Sequence, residues 1–149
     1  MKVSKFWREH PQRYRLEGKK CAQCGKVCFP PRDTCPLCNS NQMIPVTLPK
    51  RGKIITYTVM YTVPPNFEIF KPYIIALVQL EDGTYLTTQL TDCKPEEITL
   101  GMDVEAVIRK INEDGRDGII YYAYKFRPML KNSKNNTGKK PVLRQCDSV

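Results

Sequence analysis

Two Cys-x-x-Cys pairs, separated by ten residues, constrain the fold of this chain more than any other feature. The pairs are Cys21/Cys24 and Cys35/Cys38. Each pair can direct two thiolates at one point, and two such turns joined by a hairpin form a closed tetrahedral site of four sulfurs. Gly25 and Asn39 follow the pairs, where a tight turn needs the positive φ that glycine and asparagine tolerate best. The spacing therefore predicts a metal-binding ribbon over residues 19–41.

The predicted metal is a structural zinc, because four thiolates in a closed site leave no open position for a substrate. Iron is the alternative metal, since four thiolates also suit rubredoxin-type iron. Two disulfides, or cysteines that pack as small apolar groups, are further alternatives. A pair of Cys24 and Cys28 would have the wrong spacing for a Cys-x-x-Cys turn, or knuckle, so Cys28 is interpreted as a non-ligand on the ribbon hairpin.

The length of 149 residues indicates one compact domain plus a small module. The longest apolar run, Tyr73 to Val78, is too short to span a bilayer, and the N-terminus has no signal-peptide core. Seven cysteines without an export signal point to a reducing compartment in which thiols hold metal. We therefore expect a cytoplasmic protein that does not contact a membrane.

The net charge of +9 is unevenly distributed. Residues 1–50 contain ten Lys/Arg and three Asp/Glu, whereas residues 51–127 contain nine Lys/Arg and eleven Asp/Glu. Residues 128–149 contain five Lys/Arg and one Asp/Glu. Because the central region is slightly acidic, nucleic acid is not the expected partner of that region.

Residues 1–18 are predicted to be a helical segment with an interruption. Pro11 should break or kink the helix, and His10 before it should be displaced from helical geometry. Phe6 and Trp7 either pack on the ribbon or anchor a partner protein, since tryptophan is enriched at interface hot spots. His10 lacks a nearby nucleophile or carboxylate pattern and is expected to be a surface or packing residue.

A mainly β domain is predicted for residues 51–130, after a linker at 42–50 that contains two prolines. Five segments have the alternation and the β-branched or aromatic content of strands. These segments are Lys53–Thr62, Tyr73–Leu80, Thr84–Thr91, Asp103–Ile111 and Ile119–Arg127. With a short helical turn after the third strand, this order predicts an OB-type barrel. An SH3-like barrel or a separate four-stranded sheet is the alternative.

Two other segments are predicted to be irregular. The loop at 63–72 carries Phe67, Ile69 and Phe70, which is unusually apolar for a loop. These side chains either fold back over the barrel or form a docking surface or ligand-channel wall. Residues 131–149 have few apolar side chains and are expected to be a disordered tail.

No catalytic constellation is recognisable in the sequence. Phosphate loops, glycine fingerprints and nucleophile elbows are absent. Cys93 lacks a recognisable base or cation beside it, so a structural or surface role is expected rather than a nucleophile. Cys146 is an isolated thiol. The sequence therefore favours a binding module with no catalytic residues.

Several motifs together resemble a known family. They are Phe6-Trp7, Phe29-Pro30-Pro31-Arg32, Cys35-Pro36-x-Cys38, Gly52 to Thr58, Pro72 to Val78, Leu100-Gly101-Met102-x-Val104 and Phe126-Arg127-Pro128. In this order they resemble the zinc-ribbon/OB-fold accessory proteins of acyl-CoA enzymes, a family long described as a domain of unknown function. The resemblance covers roughly residues 4–128.

The resemblance implies a non-catalytic partner of thiolase-fold enzymes. The segments Trp7-Arg8-Glu9 and Tyr14-Arg15-Leu16 are similar to the archaeal form of the family. That form holds acetoacetyl-CoA thiolase and hydroxymethylglutaryl-CoA synthase together, beside a shared coenzyme A site, early in the mevalonate pathway. The expected function is thus a scaffold that supports channelling of acetoacetyl-CoA by proximity.

The alternative function is a zinc-ribbon/OB protein that binds single-stranded nucleic acid. Tyr57, Tyr61 and Tyr85 could stack on bases in such a protein. The acidic balance of the barrel region opposes this alternative, because binding of this kind depends on phosphate contacts.

Overall fold

The structure, a computed structural model, describes residues 3–62, 68, 71–115 and 118–130. Within these ranges, two short helices precede eight strands, which form a three-stranded sheet and a closed five-stranded barrel. The helices are α1 (Val3–Arg8) and α2 (His10–Arg15). The strands are β1 (Glu17–Cys21), β2 (Val27–Cys28), β3 (Met43–Thr47), β4 (Arg51–Met60), β5 (Tyr73–Leu80), β6 (Tyr85–Leu90), β7 (Asp103–Glu113) and β8 (Ile120–Pro128).

The barrel has the strand order β4-β5-β6-β8-β7, and β7 returns to pair with β4. All pairs are antiparallel except β6 with β8, where Leu90 lies beside Phe126. A 3-10 turn at Pro95–Glu97 lies between β6 and β7, at the predicted helical turn. Five strands with a short turn between the third and the fourth are the succession along the chain that predicted an OB-type barrel.

Alternating side chains explain why the barrel strands form here. In β5, Ile74, Ala76, Val78 and Leu80 are buried, and the residues between them are partly exposed. The period of two places every buried side chain on one face of the strand, which becomes the barrel interior. Phe126 of β8 completes the same core.

The first barrel strand, β4, begins two residues earlier than predicted. Strand β4 begins at Arg51 instead of Lys53, since Arg51, Gly52 and Lys53 pair with Glu105, Val104 and Asp103 of β7. These pairs join segments about 50 residues apart, so local sequence preference gives no signal for them.

The helical break lies at Glu9, before the proline that was predicted to cause it. His10 and Pro11 occupy the first turn of α2. Proline is tolerated there because the first N–H groups of a helix have no intrahelical partner. His10 is therefore helical, contrary to the expectation that Pro11 would displace it. Helix α2 ends at Arg15, and its C-cap residue Leu16 adopts a left-handed conformation with φ 55°.

The segment 42–50, predicted to be a linker, contains strand β3. This strand pairs with β1 from Glu17↔Thr47 to Cys21↔Met43, in a sheet ordered β2-β1-β3. Pro45 was part of the basis for the linker prediction. It is compatible with β3 because that strand lies at the edge of the sheet, where proline is tolerated.

Two leucines join the N-terminal part of the chain to the barrel. Leu16 and Leu48 are both buried in the barrel core cluster. The Leu48 N–H donates a hydrogen bond of 3.0 Å to the Leu16 carbonyl oxygen. Phe29, between the two knuckles, packs edge-on against Tyr124 of β8, with ring centroids 5.7 Å apart. The ribbon is thus attached to the barrel by two buried side chains and one partly buried side chain.

Two predicted segments lie largely outside the described residues. Of the loop 63–72, the residues Phe67, Ile69 and Phe70 are not described, and neither is the tail 131–149. None of the described helices is both long and apolar enough to cross a membrane.

Gly52 provides a test of barrel closure. A Cβ atom at this position would lie 2.4 Å from the Gln79 carbonyl oxygen and 2.8 Å from a Val78 methyl carbon. We expect Gly52→Ala to lower the free energy of unfolding by about 1–3 kcal/mol, since backbone must move to admit the methyl group. Urea denaturation measures this change. The exposed neighbour Lys53→Ala is the control, with an expected change within about 0.5 kcal/mol. Equal stability of the two variants would contradict the close packing of β4 on β5.

Candidate metal centre and N-terminal surface

The two Cys-x-x-Cys pairs form two turns with the same hydrogen-bond pattern. In the first, the Gly25 N–H donates to the Cys21 carbonyl oxygen at 3.0 Å. In the second, the Asn39 N–H donates to the Cys35 carbonyl oxygen, also at 3.0 Å. Gly25 has φ 72° and Asn39 has φ 53°, the left-handed conformations predicted for these positions. Each turn therefore presents both of its sulfurs to the same side.

The structure brings the four predicted ligands together. The Sγ atoms of Cys21, Cys24, Cys35 and Cys38 all lie within 4.8 Å of one another. Two of the distances, Cys21 to Cys38 and Cys24 to Cys35, are 3.5 Å. A zinc ion with bonds of about 2.3 Å to four sulfurs would separate them by about 3.8 Å. The cluster has the dimensions of a tetrahedral thiolate site, and the distances are far too long for disulfide bonds.

Hydrogen bonds from the knuckle backbone favour thiolates at the first cysteine of each pair. The Cys24 N–H, assisted by the Gln23 N–H, lowers the pKa of Cys21 to about 6. The Cys38 N–H likewise lowers the pKa of Cys35. The Ser40 N–H lowers the pKa of Cys38, but the Cys21 side chain and burial outweigh it and raise that pKa to about 12. Four thiolates this close repel one another, so their full ionisation requires a cation among them.

The other described cysteines lie outside this cluster. Cys28 is buried on β2, where it pairs with Lys19 of β1. Burial, followed by the charges of Glu97 and Asp92, raises the pKa of the Cys93 thiol. A raised pKa opposes the thiolate form that a nucleophile needs.

Phe6 and Trp7, predicted as partner contacts, face different surroundings. Phe6 is only 9% exposed and packs edge-on against Tyr121 of β8, with ring centroids 4.7 Å apart. The Arg13 guanidinium lies over the Phe6 ring at 5.1 Å. Trp7 is 75% exposed. Phe6 attaches α1 to the barrel, and Trp7 projects from it. Sequence reasoning did not identify Tyr121, because a contact between residues 115 positions apart leaves no local pattern.

The tyrosines considered for base stacking are not equivalent. Tyr57 is half-buried against the core, and its hydroxyl donates to the Ile98 carbonyl oxygen at 3.3 Å. Tyr61 and Tyr85 are exposed. The structure therefore leaves two of the three rings accessible for stacking.

Two family models match this chain, one over the ribbon and one over the barrel as far as the middle of β7. Residues 8–43 match the rubredoxin-like zinc ribbon domain of ChsH2, and residues 45–109 match its C-terminal OB-fold domain. A DUF35 domain-containing scaffold protein of Pyrococcus furiosus is 49% identical over 88% of this chain and 96% of its own length. The chain belongs to the DUF35 scaffold-protein family. The predicted mainly β fold, with a zinc ribbon and an OB-type barrel, and the resemblance to this family are confirmed.

Two more distant matches are named as parts of a thiolase and of an aldolase. A solved chain of the Ltp2-ChsH2(DUF35) aldolase has a TM-score of 0.64 and 32% identity. That match covers 84% of this chain and 92% of the solved chain. The benzoylsuccinyl-CoA thiolase subunit BbsA of Thauera aromatica is 28% identical over 75% of both chains. The match to the zinc ribbon model, together with the sulfur geometry, supports a structural zinc held by the four cysteines.

A metal analysis tests the four-sulfur site. We expect one zinc ion per wild-type chain, and none in Cys35→Ser, because the buried Cys35 sulfur is one of four ligands. Loss of the metal should unfold the ribbon, since structural zinc contributes on the order of 10 kcal/mol to such segments. Mass spectrometry of the metal content and circular dichroism measure the two effects.

Cys28→Ala is the matched control, because Cys28 is a buried ribbon cysteine outside the cluster. It should retain one zinc ion per chain. Iron in place of zinc in the wild-type protein would show the alternative metal. Full metal retention by Cys35→Ser would contradict the site itself.

Proposed function

We propose that this chain is a non-catalytic scaffold that bridges acetoacetyl-CoA thiolase and hydroxymethylglutaryl-CoA synthase in the mevalonate pathway. The observation that carries the proposal is its similarity, over nearly the whole chain, to a scaffold protein of the same family. The relative BbsA, a thiolase subunit, supports a thiolase as one partner. The synthase and the channelled intermediate come from the family resemblance of the sequence motifs.

The chemistry of the described residues supports the non-catalytic role. The four-sulfur site is closed, so a zinc ion there would have no position for a substrate. The only histidine, His10, stacks on the Tyr14 ring at 4.0 Å. The Cys93 thiol has a raised pKa. In this proposal the chain contributes binding surfaces and rigidity, and the two enzymes contribute the reactions.

Bridging would act through effective concentration. Acetoacetyl-CoA released by the thiolase would reach the synthase before it dilutes into solution, as in any linked pair of binding sites. A rigid connection between the two enzymes matters because a flexible one would lower that effective concentration. The buried Leu16 and Leu48 and the partly buried Phe29 hold the ribbon on the barrel and supply this rigidity within the chain. Coenzyme A would lie at a site shared with the enzymes.

Reconstitution of the three purified proteins tests this function. We expect one hetero-oligomer on size-exclusion chromatography with light scattering. In the complex, formation of hydroxymethylglutaryl-CoA should persist when a reductase that consumes free acetoacetyl-CoA is added. Without the scaffold chain, the same reductase should suppress product formation at least tenfold.

The metal-free Cys35→Ser chain is the matched negative control, since its ribbon should be unfolded. Separate elution of all three wild-type proteins would contradict the proposal. Turnover of an acyl-CoA by the isolated chain would contradict its non-catalytic part. Salt-sensitive binding of a single-stranded oligonucleotide, with no enzyme bound, would favour the nucleic-acid alternative.

A further inference from the structure

The surface of α1 carries a large aromatic side chain that the protein's own core does not use. Trp7 is 75% exposed, although tryptophan is among the most hydrophobic side chains. Val3 lies four positions earlier on the same helix and is also exposed. Residues at i and i+4 share a helix face, so Val3 and Trp7 form one small apolar surface.

A series of ring contacts connects Trp7 to the barrel. The Trp7 ring lies 6.0 Å from the His10 ring, and His10 stacks on Tyr14 at 4.0 Å. Tyr14 contacts Phe6 edge-on at 6.5 Å, and Phe6 contacts Tyr121 of the barrel. The exposed indole is therefore connected to the barrel by packed rings. A side chain held in this way loses little conformational entropy when a partner covers it.

The same segment is strongly cationic. Residues 3–15 contain four Lys/Arg and one acidic residue, Glu9. Arg13 engages Glu9 at 2.6 Å, whereas Lys5 lies 3.9 Å from it. Arg8, next to Trp7, forms no ion pair with any described residue. Uncompensated positive charge thus borders the exposed indole, and a partner must supply acidic groups around an apolar pocket.

We propose that the Val3/Trp7 surface with its flanking Lys5 and Arg8, here called the Trp7 surface, docks on the thiolase. Trp7 fills an apolar pocket, and acidic thiolase side chains around the pocket pair with Arg8 and Lys5. Tryptophan and arginine are the residue types most enriched at interface hot spots. This inference rests on the proposed function. The thiolase is chosen because a relative of this chain is a thiolase subunit.

The burial of Phe6 and the exposure of Trp7 give these two residues different roles in this proposal. Phe6 is a positioning residue, since its buried ring attaches α1 to β8. Trp7 is the contact residue, since most of its surface is available. Truncation of Phe6 should therefore change both stability and binding, whereas truncation of Trp7 should change binding alone.

Binding of full-length, zinc-loaded chains to the acetoacetyl-CoA thiolase and to the synthase of the same organism tests this division. We expect Trp7→Ala to bind the thiolase at least about 30-fold more weakly, equivalent to about 2 kcal/mol, with an unchanged melting temperature. Leu100→Ala is the matched control, because Leu100 is a comparably exposed apolar side chain on the barrel. It should bind like the wild type.

Charge is tested separately with Arg8→Glu. We expect about tenfold weaker thiolase binding at 50 mM salt, and a difference that shrinks by 500 mM salt because the interaction is screened. Phe6→Ala should lower the melting temperature as well as the affinity. An Arg8→Glu variant with wild-type affinity at both salt concentrations would overturn the acidic partner surface.

The outcomes separate this inference from the proposed function. If the wild-type chain binds neither enzyme, the proposed function fails. If the wild type binds the thiolase and Trp7→Ala binds it equally well, the Trp7 surface is overturned while the scaffold function stands. If Trp7→Ala loses only the synthase, the assignment to the thiolase is overturned.

Discussion

The convergence of four sulfur atoms is the constraint on which the N-terminal part of this structure depends. Between residues 19 and 41, every buried residue is a cysteine, namely Cys21, Cys28 and Cys35. A segment with so little apolar surface to bury has no hydrophobic core of its own. Its fold therefore relies on the two knuckle turns and on the cation that four neighbouring thiolates require. Zinc suits that role because a closed tetrahedral site satisfies all four sulfurs.

The barrel supplies what the ribbon lacks, which is a hydrophobic interior to pack against. Leu16 precedes the ribbon sheet, Leu48 follows it, and both enter the barrel core. Phe29, between the knuckles, adds a third contact through Tyr124. The ribbon is thus fixed at its beginning, its middle and its end. This arrangement suits the proposed function. A protein that holds two enzymes at fixed relative positions needs binding surfaces that do not move relative to each other.

Phe6 and Trp7, neighbours in α1, differ sharply in burial. The Phe6 ring is buried between Tyr121 of β8 and the Arg13 guanidinium. Trp7 remains outside, supported by His10. A six-residue helix is too short to be stable alone in water, so α1 needs the Phe6 contact to exist at all. The exposed surface of α1 therefore depends on the buried contact of the preceding residue in sequence.

Features that rest on local chemistry could be predicted from the order of the residues alone. Cysteine spacing identified the four sulfurs, because each knuckle is formed by consecutive residues. Period-two alternation identified the five barrel strands, since one buried face requires it. Positive φ at Gly25 and Asn39 followed from the same local reasoning.

Features that join distant segments could not be predicted in this way and are visible only in the folded chain. Strand β3 lies where two prolines indicated a linker, because pairing with β1 at a sheet edge overrides the local signal. The start of β4 is set by its pairing with β7, about 50 residues away. The burial of Phe6 depends on its contact with Tyr121, which no local sequence pattern indicates. Spacing and period act within a few residues, whereas edge position, barrel closure and burial are properties of the folded chain.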